Sequence, residues 1–319
     1  MRRIGSVAVI LTPFLLAACG GSDDPTMATA QVSFSVSDAP VDSATEVVVA
    51  FDALELRHED GQRFFISVDE NVAGDDYQQI DLLKYPGSEE ALILTDQRLP
   101  IGTYKELIIH TKAQQDLNWV LTEDEGEFDL KIPSNKLKLG GFEVTTETVQ
   151  SFTIEFDLRQ SLVLRGNNGN NNGYNLKPHG VKIVDNSAAA SLKGHVDVNL
   201  LGAGDGCLAE TGNFVYLYAG HGHQDSVLID NIDITDPDYR DEIELPLDYV
   251  APYASTGVMD DGNYFFGFIP AGDYTVAFTC SATVDNPIQY DEIIIANPSE
   301  QVAEIELLAT QEKVFDFTE

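Results

Sequence analysis

Positive charge is scarce in this 319-residue chain, where 18 lysines and arginines stand against 53 aspartates and glutamates, a formal charge of −35 at pH 7. An acidic surface of that kind repels phosphate backbones and excludes nucleic acid as a partner. Histidine (6), cysteine (3), methionine (3) and tryptophan (1) are also few, and the histidines are scattered. The local signatures of catalysis are missing as well. There is no nucleophile elbow, zinc-protease helix, phosphate loop or dinucleotide fingerprint, so no catalytic residue is assigned. Long amphipathic helical patterns are absent. The best helical stretch, 88–94, is about two turns long and reads equally well as a loop.

What the chain has is strand pattern. Val32, Phe34 and Val36 alternate with Ser33, Ser35 and Ser37, which makes one face apolar and the other wet. Similar β-branched and aromatic runs follow at 46–56, 63–68, 104–111, 128–132, 152–158 and 176–184. The roughly 290 residues after position 30 are too many for one ordinary sandwich and comfortable for two. A small-residue joint, Asn186, Ser187 and the alanines at 188–190, separates the two strand-rich stretches.

At the start, Arg2 and Arg3 precede an apolar run, 4–16, too short to serve as a membrane-spanning helix. It ends in Leu16-Ala17-Ala18-Cys19, which resembles the bacterial lipobox. The resemblance implies cleavage before Cys19, acylation of its thiol with diacylglycerol and palmitate, and a flexible tether over 19–30. Gly20 stands where an aspartate would signal inner-membrane retention, which implies the outer membrane, facing either the periplasm or the outside. Removing Arg2 and Arg3 with the signal leaves 16 bases against 53 acids, a formal charge of −37. With Cys19 lipidated, Cys207 and Cys280 remain as one pair, either bridged in an oxidising compartment or buried as two thiols. A bridge across a loop of that size would contribute on the order of 4 kcal/mol by chain entropy.

The expected fold class is therefore all-β: two antiparallel β-sandwich domains, 31–185 and 191–319, after a cleaved lipoprotein signal peptide, 1–18. Three segments of the first, Ser37-Asp38-Ala39-Pro40-Val41-Asp42, Lys138-Leu139-Gly140-Gly141-Phe142 and Phe156-Asp157-Leu158-Arg159-Gln160-Ser161 ahead of Leu176-Lys177-Pro178, together resemble a domain of unknown function that follows the signal peptide of bacterial lipoproteins. The second carries Leu192-Lys193-Gly194-His195-Val196-Asp197-Val198, Val215-Tyr216-Leu217-Tyr218 and Tyr264-Phe265-Phe266-Gly267-Phe268. It resembles the carboxypeptidase-regulatory-like, or prealbumin-like, sandwich modules, which implies an accessory rather than catalytic role. Both halves contain one local device, Leu99-Pro100-Ile101-Gly102-Thr103-Tyr104 and Ile269-Pro270-Ala271-Gly272-Asp273-Tyr274. Proline and glycine there close a turn ahead of a strand, as in an antiparallel hairpin.

Candidate chemistry is thin. His221 and His223, two apart with Asp225 following, would point to one side of an extended segment and offer two imidazoles to a metal. Asp230, Asp233, Asp236, Asp238 and Asp241 supply oxygen ligands for calcium, without the glycine and terminal glutamate of the twelve-residue calcium loop. Asp157 and Arg159 are spaced to tie a turn to a strand, and Asp38 and Asp42 to build one. Gly166 to Gly173 is all glycine and asparagine, a hairpin connection by composition. Trp119, Tyr249, Tyr253, Tyr264 and Tyr290 serve either as core or as stacking surfaces. The resulting expectation is a non-catalytic envelope lipoprotein, membrane-bound through its lipid, with an envelope protein or polysaccharide as partner and no required cofactor. The alternatives are calcium-dependent recognition of carbohydrate or protein, and a hydrolase assembled from distant strands.

Overall fold

A computed structural model describes all residues except 1–27, 40–43, 70–73, 75, 114, 124, 146–147 and 168–169. Cys19, the expected signal peptide at 1–18 and Asp42 lie outside the described residues. The fold is all-β, with one helical turn among the described residues, Leu158–Ser161, and short 3-10 turns. No helix among the described residues is long and apolar enough to cross a membrane.

In the first half, four strands lie in the order Val181–Asp185, Val149–Asp157, Thr29–Ala39, Ala91–Pro100. A ten-stranded sheet faces them, centred on Glu46–His58 and Gly102–Thr111. The period-two alternation places Phe34 and Phe152 on the inner side of the first sheet. Phe142 approaches both from the second, with ring centroids 5.7 and 4.9 Å away, and stacks on Tyr104 at 4.7 Å. One contiguous apolar core results, the arrangement of two sheets packed face to face. Thr29–Ala39 runs parallel to Val149–Asp157, from Gln31 opposite Val149 to Ala39 opposite Asp157. This pairing joins strands more than a hundred residues apart, and local pattern does not announce it.

The second half packs a three-stranded sheet, Asn263–Pro270, Ala189–His195, Glu312–Val314, against a four-stranded one, Ala254–Gly257, Phe214–Ala219, Gly272–Thr279, Val302–Leu307. Leu192 and Phe266 meet Val215, Leu217, Val276 and Phe278 between them. Phe214 to Tyr218 is buried at every position. The far face of the four-stranded sheet is therefore covered too, by Leu228, Ile293 and Ile295 from two long, largely strandless arms, 220–253 and 280–301.

Sequence and structure differ in three places and agree in a fourth, the glycine–asparagine run. Residues 91–100 form a strand, so the stretch at 88–94 is not a helix. The run at 176–184 is broken into Asn170–Leu176 and Val181–Asp185, because Pro178 and the positive φ of Gly180 interrupt it. The glycine–asparagine run closes the hairpin of Leu162–Asn167 with Asn170–Leu176. The paired Pro-Gly-Tyr devices do not make hairpins. Each carries the chain from one sheet to the facing one, and Tyr104 and Tyr274 each donate their O–H to the proline carbonyl four residues back, at 2.9 Å. Such tyrosine corners fix a chain reversal between sheets by a single hydrogen bond.

Candidate functional site

The first four-stranded sheet does not keep its serine face wet. Ser35, Ser37, Thr153 and Glu155 on that face are buried, because the second half lays Asn263–Pro270 across it. At the closest approach two glycines meet: a Cβ on Gly267 would stand 1.8 Å from the carbonyl oxygen of Gly87, and one on Gly87 2.4 Å from the Phe265 ring. Only hydrogen side chains allow the two backbones to come this near.

Polar contacts between the halves gather where the parallel strands end. Asp157 caps the turn Leu158–Ser161 by accepting from the Gln160 N–H at 3.2 Å, as an N-cap aspartate does. Its other oxygen accepts from the Ser255 N–H at 3.0 Å, in the second half. Gln160 donates to Asn231 at 3.2 Å. Arg159 pairs with Asp285 at 2.7 Å, both side chains buried, and its guanidinium carbon lies 3.3 Å from the Phe214 ring centroid. Asp285 also accepts from Tyr216 at 2.6 Å and from the side-chain amide and backbone N–H of Asn231 at 2.7 and 3.2 Å, so its charge is met by four donors. Lys177 pairs with Asp236, and His179 lies 3.7 Å from Asp233. Arg159 thus reaches across the seam to Asp285 instead of tying its own turn to a strand.

Beside this network sits an ionisable group of another kind. Burial pushes the Asp38 carboxyl well above the usual carboxylate range, with Glu155, Asp157 and Asp81 adding to the rise. Among the described residues neither Asp38 oxygen has a hydrogen-bond partner. Burial likewise raises Glu155 and Asp157, against the pull of Ser37 and Lys182 on the first and of Lys182 on the second. It lowers the Lys182 ammonium, which lies 4.5 Å from the Tyr253 ring centroid. Glu155, Asp157, Lys182 and Tyr253 border a cavity of about 10 Å³, space for no more than one water.

The sequence-derived metal candidates are placed differently. His221 turns its Nε2 to the carbonyl of Ile305 at 3.0 Å, and His223 to that of Ala219 at 2.8 Å, so each ring is tied to a backbone carbonyl. Asp233 caps Thr235, and Asp236 caps Asp238 while holding Lys177. Burial raises Asp230 to about 7 although the Ile293 and Asp291 N–H groups hold it down. Among the described residues no group of three or more histidines, cysteines or acids is arranged to hold a metal ion. His223 and Asp225 instead border an open recess of about 340 Å³ with Glu300 and Glu304. Cys207 and Cys280 are bridged, their Cα atoms 5.3 Å apart. Tyr264 is buried with its O–H on the Phe315 carbonyl, and Trp119 bonds Glu46.

Gln160, Asn231, Ser255, Tyr216 and Asp285 carried no signal of their own, since their partners lie 24 to 126 residues away. Arg159 had one: it is among only 16 bases after residue 3.

Residues 29–178 match the model of a domain of unknown function, DUF4382. The DUF4382 match ends at the seam, one residue past Lys177. No curated protein matches the chain. Among solved structures it is similar to the Bacillus anthracis TIE protein at 14% identity, covering 91% of this chain and 33% of that one, with a TM-score of 0.20. The minor pilin GBS52 of Streptococcus agalactiae is similar at 11% identity, over 89% of this chain and 94% of that one, with a TM-score of 0.20. The fimbrial anchor protein Mfa2 of Porphyromonas gingivalis is similar at 10%, over 80% of each, with a TM-score of 0.17. The chain spans about a third of the TIE protein's length. Likenesses at these scores carry no functional argument.

Proposed function

We propose that the protein is a non-catalytic envelope lipoprotein, held to the outer membrane by an acylated Cys19, whose domains 31–185 and 191–319 form one binding or structural body. On this reading the second domain is a carboxypeptidase-regulatory-like accessory module. The observation that carries the proposal is where the reactive side chains are used. Asp157, Arg159, Gln160 and Lys177 bond the other half, and the space beside them has room for one water. Substrate chemistry needs a concave site with convergent polar groups, and the seam is closed. The bridge between Cys207 and Cys280 fits an oxidising compartment. Labelled palmitate is expected to enter the parent protein and not a Cys19→Ala variant, which should leave the membrane fraction. Equal membrane retention of the variant refutes the anchor.

A further inference from the structure

Although bases are rare in this molecule, four of them stand on one sheet face. In the ten-stranded sheet, Arg63 lies directly opposite Arg57, and Phe65 opposite Glu55. Glu55 continues the row to Ile108 and Arg57 to Glu106. Ile108 then faces Lys138, and His110 faces Lys136. Strand alternation turns Leu54, Leu56, Leu107, Ile109, Leu137 and Leu139 into the core, so the residues between them point outward. Arg57, Arg63, Lys136 and Lys138 are exposed.

Two features set this face apart. Arginines directly opposite each other on neighbouring strands repel, yet they persist in a chain with 53 acids available to separate them. Phe65 is 62% exposed, one of the largest apolar side chains left in solvent, with its ring against His110 at 5.0 Å. Glu55 bonds both Arg63 and His110 at 3.1 Å, so its charge is taken up within the face. Four bases against Glu55 and Glu106 leave a positive strip around an aromatic ring, on a molecule that is strongly negative elsewhere.

We propose that this face, Arg57, Arg63, Phe65, Lys136 and Lys138, binds a linear anionic polysaccharide. Carboxylates of the glycan would meet the guanidinium and ammonium groups, and a sugar ring would lie against Phe65. The four strands concerned span about 14 Å at their usual spacing of nearly 5 Å, the width of a single extended chain. A narrow polyanion touches the strip alone. A flat anionic bilayer would bring the acidic flanks within a Debye length of about 8–10 Å as well. The proposal gives the binding role above a ligand class and rests on it, but not on the lipid anchor.

The test uses the purified full-length chain in neutral detergent, titrated calorimetrically with oligogalacturonate, with uncharged dextran and with phosphatidylglycerol vesicles. Saturable binding of oligogalacturonate alone is expected, weakened at least tenfold in Phe65→Ser and in a Lys136→Glu, Lys138→Glu double variant, and unchanged in Cys19→Ala. These positions are exposed, so melting temperatures serve as the folding control. The proposal is overturned by absent saturable binding, by equal binding of both variants, or by vesicle capture through the same residues without oligogalacturonate binding. Failure of the anchor shows only in fractionation of Cys19→Ala, which keeps the two claims separable.

Discussion

A carboxylate with both oxygens buried and unbonded, as in Asp38, costs stability whenever it is ionised. Its pKa in the fold lies above the unfolded value. The folded state therefore holds a proton that the unfolded state has lost, and stability falls as pH rises from about 4, the ordinary aspartate value. Asp38→Asn removes that charge. It is expected to raise stability by about 1–3 kcal/mol at pH 8, the cost of an unmet buried group, with a smaller gain at pH 4, as read by urea unfolding. Equal effects at the two pH values would contradict the assignment. Asp230, raised to about 7, adds the same sign over pH 4 to 7. None of this was legible beforehand. The sequence marks Asp38 as a turn former, whereas in the fold it continues the inward row of Val32, Phe34 and Val36, opposite the buried Phe156.

The strands themselves were legible, because alternation in 46–56, 63–68 and 104–111 reflects one buried face. Their partners were not. Parallel pairing of Thr29–Ala39 with Val149–Asp157 depends on tertiary closure, and the serine face reads as wet because the cover of Ser35 and Ser37 lies in Asn263–Pro270. The repeated Pro-Gly-Tyr device was visible as a turn, but its sheet-crossing role became apparent only with the tyrosine hydrogen bonds. Tyr104→Phe and Tyr274→Phe each remove the donor to a proline carbonyl. Each is expected to cost about 1–2 kcal/mol in chemical unfolding, and a change below a few tenths would show that packing alone holds the corner.

At the scale of the molecule, the two halves are joined into one body by the seam. The acidic stretch between Tyr218 and Tyr264, irregular in sequence, supplies the docking groups Asn231, Asp236 and Ser255. The segments around Arg159 and Lys177 receive them. Such coupling makes the halves unfold together, and breaking a buried ion pair from one side costs about 3–5 kcal/mol. Arg159→Ala would leave Asp285 without its cation. Differential scanning calorimetry of the parent chain and of this variant tests the claim most directly. The account predicts one transition for the parent and two for Arg159→Ala. Two transitions in the parent, both unmoved by the substitution, would contradict it.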